Sequence, residues 1–201
     1  MLDGLSQELR QGLFSETRTY PVIVRLSHVP GEFLDDRRVS TPRGMAIKVL
    51  GVEGEMLPGR RGEVTQDFVL DTGKVFPSPG LKAFLATIQA LETVTPAPEA
   101  LKSAVSFASR ALNATLNAVG GDSANLDFFG HPPWHPLAEA YYSQAPIRYG
   151  DYIAKLSVRP VSPGLKALEG EKLDVSKDEN ALRTAVIEFF RSNPAEFEVG
   201  V

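Results

Sequence analysis

The sequence predicts an α+β chain built as one domain over residues 1–201, and three observations carry that reading. Short β-branched runs fill the first 76 residues, apolar residues at helical spacing fill the middle, and alternation returns after residue 147. Strands grouped at the start and helices grouped after them predict an antiparallel sheet with helices set beside it.

Leu5, Leu9, Leu13 and Phe14 fall at helical spacing between Gly4 and Ser15, which predicts a short first helix. From Tyr20 to Val29 the β-branched residues predict a strand that Pro30-Gly31 ends. Gly44 to Val52 predicts a second strand, Val52-Glu53-Gly54-Glu55 a hairpin turn, and Thr65 to Asp71 a third strand. Leu81, Phe84, Leu85, Ile88 and Leu91, then Leu101, Val105, Ala108, Leu112, Leu116 and Val119, predict two amphipathic helices separated near Pro96 and Pro98. The Gly- and Pro-rich stretch Gly120 to Pro136 predicts an ordered surface loop. Ile147 to Val158 alternates and predicts one strand ending near Pro160. Asp178 is placed to cap a helix through Leu182, Val186, Phe189 and Phe190 that stops before Pro194, and Glu196 to Val201 predicts a last strand.

Composition narrows the function classes. A net charge of −4 with Lys and Arg scattered gives no footprint for nucleic acid or an anionic membrane. No apolar run reaches the roughly 20 residues that span a bilayer, and the first residues lack the basic and apolar regions of a signal peptide, so a soluble, cytoplasmic chain is expected. The absence of cysteine removes disulfides and thiolate ligation.

On a strand from Tyr20, Ile23, Arg25 and Ser27 share one face, and Val24, Leu26 and His28 share the other. Arg25 is thereby expected among apolar neighbours, where a guanidinium needs an anion, and Asp67 or Asp71 is the ordinary partner. His28 faces away from Arg25 and Ser27, which argues against a catalytic role for it. His131 and His135 stand at the four-residue spacing of helical zinc ligands, but Pro132 and Pro133 forbid that helix and no glutamate lies between them. A loop anchored by Trp134 is expected instead, with no metal site. Ser15, Ser143 and Ser162 lie in no nucleophile-elbow context, and there is no phosphate-binding glycine loop.

Tyr20-Pro-Val-Ile-Val-Arg25-Leu-Ser27, followed by Pro42-Arg-Gly44-Met-Ala-Ile-Lys-Val49, resembles the haem pocket of the catalase superfamily. Thr65-Gln-Asp-Phe68-Val-Leu-Asp71 with Phe76-Pro-Ser78 resembles the family segment that follows, and His135 to Leu156 looks like its later barrel strands, more loosely. The resemblance implies a catalase-like antiparallel β-barrel with surrounding helices, incomplete at both ends, holding b-type haem. It implies Arg25 beneath a haem propionate, Ser27 supporting a distal histidine, Gly44 allowing close approach to the porphyrin edge, and Phe68 and Phe76 as apolar walls.

The chain departs from the family pattern at the chemistry. No distal-histidine motif precedes Arg25, the catalytic asparagine falls in Gly59-Arg-Arg-Gly-Glu63, which holds no asparagine, and Gln66 is the nearest amide. Arg148 and Tyr152 have the spacing of the iron-ligand motif but sit on a strand pattern, so no axial ligand is assigned. The expected activity is therefore part of a haem-dependent catalase- or peroxidase-like enzyme acting on hydrogen peroxide or an organic hydroperoxide. The alternative is a non-catalytic β-barrel binding module, or a truncated gene product, without haem. In the binding module Arg25 should have a carboxylate partner within the chain. An incomplete barrel also leaves strand edges, which predicts pairing with another copy or aggregation.

Overall fold

The computed structural model describes residues 5–28, 33–56, 58–76, 78–94, 99–118 and 130–201. The expected stop at Pro30-Gly31, the Pro96–Pro98 break, Pro77 and most of the loop before Pro136 lie outside those residues.

The chain is α+β. Six strands form a curled antiparallel half-barrel in the order β1 (Val22–His28), β2 (Arg43–Leu50), β3 (Thr65–Asp71), β4 (Tyr141–Ser143), β7 (Ser157–Pro160) and β8 (Phe197–Gly200). Strands β5 (Ile147–Tyr149) and β6 (Tyr152–Ala154) pair separately as a hairpin. Among the described residues the named helices are α1 (Leu81–Val94), α2 (Glu99–Ala118), the single turn α3 (Pro163–Lys166) and α4 (Ala181–Ser192). No helix among the described residues is long and apolar enough to cross a membrane.

Register fixes what each sheet face carries. Leu26 lies opposite Met45 and Met45 opposite Leu70, so these three share the face that also holds Ile47, Phe68, Tyr141 and Val158. Met45, Leu70, Tyr141, Leu156 and Val158 form the main core. A second cluster, Leu137, Leu165 and Phe189, seats α4 against the 136–138 turn and α3.

Several expected elements take another form. The first helix is two single 3-10 turns, Gln7–Leu9 and Gly12–Phe14, because Gly12 at φ +53° cannot propagate a right-handed helix. The expected tight turn after β2 is a longer connection over residues 51–64, closed where the Val52 N–H donates to the Val64 carbonyl at 3.0 Å. The single strand expected from Ile147 to Val158 is the β5–β6 hairpin followed by β7. Gly150, at φ +58°, turns the chain, and Tyr149 lies opposite Tyr152. A two-residue turn keeps the alternation running, so the reversal is invisible to period-2 pattern. Strand β4 escapes periodicity because it is three residues long. Helix α4 starts at Ala181, with Asp178 accepting from the Asn180 N–H at 2.8 Å and from the Thr184 hydroxyl at 2.7 Å.

Candidate functional site

Two groups of polar side chains stand out, on opposite sides of the sheet. The first is the face of β1–β3 turned away from the core. Arg25 lies opposite Ala46, which lies opposite Val69, and Ser27 lies opposite Gly44, which lies opposite Asp71. Arg25, Ser27 and Gly44 thus share one face, with Ala46 and the exposed Ile23 and Val69 beside them. Gly44 matters sterically: a Cβ there would meet the Ser27 Oγ at 2.9 Å.

Arg25 is exposed, not enclosed among apolar neighbours as the alternation implied, because β1 is an edge strand and this face is open to solvent. It makes no hydrogen bond or ion pair among the described residues. The two carboxylates expected for it are otherwise engaged: Asp67 lies 2.6 Å from the Lys48 ammonium, and Asp71 accepts from the Gly73 N–H at 2.8 Å. A guanidinium without a partner among the described residues, beside a hydroxyl and the low side of Gly44 and Ala46, can receive a carboxylate-bearing ligand.

The two aromatic walls are not gathered on this face. Phe68 points to the core side and stacks on Phe14 at 6.5 Å, while Phe76 lies beyond β3 against Phe84 at 4.9 Å. Phe14, Phe68 and Tyr149 line a cleft of about 220 Å³ between the N-terminal turns, β3 and the β5–β6 hairpin. That is smaller than the roughly 300 Å³ at which small-molecule pockets begin. Tyr152 is on the hairpin, its hydroxyl donating to the Glu8 carboxylate at 2.8 Å, and this bond raises its pKa.

The second group is buried. Arg43 opens β2, and its Nη1 donates to the Glu139 Oε2 at 3.0 Å. The other oxygen, Oε1, lies 2.6 Å from the His131 Nε2, and Arg43 also donates to the Pro132 carbonyl at 3.3 Å. His131 meets Trp134 edge-on at 5.5 Å. His135 accepts from the Leu137 N–H through Nδ1 at 3.2 Å and meets Phe189 edge-on. Burial pushes His28 and His135 below the ordinary imidazole value, and the charge of Arg43 adds to this in both. Asp36, also buried, is pushed above the usual carboxylate value by desolvation. All three histidines of the chain therefore gather around one arginine–glutamate pair.

This node joins the end of β1, Asp36, the start of β2, the 131–139 segment and α4. The loop is anchored by His131, His135, Leu137 and Glu139, which are buried, more than by the partly buried Trp134. Among the described residues no group of three or more His, Asp or Glu side chains is arranged to hold a metal ion. Glu139 and Asp36 were not singled out by sequence. Glu139 did leave a signal: it is the sole Asp, Glu, Lys or Arg between Asp127 and Arg148, set in an apolar run.

Comparison with protein-family models, with curated proteins and with solved structures finds no match for this chain.

Proposed function

We propose that this chain is part of a catalase-like haem protein acting on hydrogen peroxide or an organic hydroperoxide, with its haem seated on the open face of β1–β3. The observation that carries the reading is the exposed Arg25 guanidinium, on one face with Ser27 and Gly44 and without a carboxylate partner among the described residues. The residues fit the carboxylate edge and the flat face of a porphyrin. Arg25 supplies a charged donor for a propionate, Gly44 and Ala46 keep side chains low, and Ser27 offers a hydroxyl at the same level. The fit does not extend to an iron ligand, which this chain does not identify. When bound, haem supplies the iron at which a peroxide O–O bond is cleaved.

A second reading, a half-barrel binding module without haem, is favoured by Phe68, which packs on Phe14 and leaves the open face without that wall. An absorption titration with hemin separates the two. The haem reading expects a saturable Soret band and, for Arg25→Ala, affinity weaker by about 10- to 100-fold, the worth of one charge-assisted hydrogen bond. Absence of a saturable band, or equal affinity in both proteins, sinks it.

A further inference from the structure

Helix α2 is mounted with its polar side inward. Ser106 and Asn113, one stripe at a spacing of seven, are 0% and 2% exposed. The Ser106 hydroxyl receives the Ser40 N–H at 3.5 Å, and Arg110 donates to the Arg38 carbonyl at 3.4 Å. The opposite side carries Leu101, Ala104, Val105, Ala108, Ala111 and Leu112, all exposed, with Leu101 and Leu112 at 55% and 59%. No charged residue lies on that side between residues 101 and 116.

We propose that this outward face of α2 is a homodimer interface, packed antiparallel on the same helix of a second copy about a two-fold axis at Ala108. The pattern is self-complementary. With Ala108 facing its symmetry mate, Leu112 falls opposite Ala104 of the other copy, Val105 opposite Ala111 and Leu101 opposite Thr115. Each large side chain meets a small one, as interdigitating helices require. A face without charge is not repelled by its own copy. Leu101, Val105 and Leu112 are 55%, 40% and 59% exposed, so pairing two copies removes three large apolar side chains from water on each. A membrane-surface helix would instead turn its basic and polar side to water, and here that side is packed against the protein.

The chain has no cysteine, so Ala108→Cys places one thiol at the proposed axis. Sedimentation equilibrium at micromolar concentration should give twice the chain mass, and Ala108→Cys should oxidise to a covalent dimer. Leu112→Glu should weaken dimerisation by more than about tenfold with unchanged far-UV circular dichroism. If Leu112→Glu fails to fold, the cross-link decides alone. A monomeric wild-type chain overturns the proposal, as does a dimer in which Ala108→Cys does not cross-link. A monomer that binds phosphatidylcholine vesicles overturns it too and assigns the face to lipid.

Discussion

Arg43 and Glu139, 96 residues apart in sequence, form an ion pair at 3.0 Å with side chains only 3% and 6% exposed. The pair ties the first half of the sheet to the segment leading into β4, and His131 closes the remaining carboxylate oxygen. Removing one partner strands the other charge away from water. Glu139→Ala is expected to cost about 3–5 kcal/mol, the scale for breaking a buried pair from one side. Glu139→Gln, which keeps an acceptor, should cost less. Urea unfolding measures both, and a loss below about 1 kcal/mol for Glu139→Ala would show that the pair contributes little.

The titratable groups of the same node contribute to stability with opposite pH dependences. His28 and His135 are held below their unfolded value near 6.5, so the unfolded chain binds protons first as pH falls. Their contribution is whole above pH 6.5 and is lost as pH drops through the depressed folded values. Asp36, raised above its unfolded 3.8, acts oppositely: its contribution is present below that value and is lost as pH rises through the raised one. Charged neighbours Arg43, Glu139 and Asp178 face these groups from β2, the 131–139 segment and the start of α4. In melting temperatures measured between pH 5 and 8 the histidine contribution falls on the acid side, and His28→Gln should make that acid-side loss smaller than in the wild type. Parallel curves for the two proteins would remove His28 from the account.

What could be read from sequence follows from how far each signal reaches along the chain. β1 and β3 were legible because seven residues of β-branched or alternating pattern have one cheap conformation, and α4 because apolar spacing ended at a proline. The β5–β6 turn was hidden because its parity preserves alternation. The shared face of Arg25, Ser27 and Gly44 required only strand period and a correct register. The Arg43–Glu139–His131 node was illegible for a different reason: its members meet only after the sheet has closed over distant segments. Burial of Arg43 and exposure of Arg25 depend on which face of the sheet the 131–139 segment covers, which no local pattern states.

Ser27 and Gly44 face each other across β1 and β2, and a methyl group at residue 44 would stand 2.9 Å from the serine hydroxyl. Gly44→Ala should therefore cost about 1 kcal/mol, the low end for overpacking, because the hydroxyl can rotate aside. In Ser27→Ala the obstruction is removed, so the double variant should recover most of the loss. A double-mutant cycle in urea reads the coupling directly. Additive losses would mean that the two side chains do not share space.

Asp36 does for α4 what an N-cap side chain does from within a helix. Asn180, at the cap position, makes no side-chain capping bond, and the Leu182 N–H donates instead to the Asp36 Oδ2 at 2.9 Å. A helix start leaves its first N–H groups without intrahelical partners, and here one is satisfied from 146 residues away. Asp36→Ala should lower stability by about 0.5–2 kcal/mol, the range for losing a capping acceptor. Asp36→Asn keeps the acceptor oxygen without the charge that burial opposes, and should match or exceed the wild type. Amide hydrogen exchange at Leu182 distinguishes a local cap from a general packing loss: faster exchange confined to the first turn of α4 supports the cap, and acceleration spread through the core refutes it.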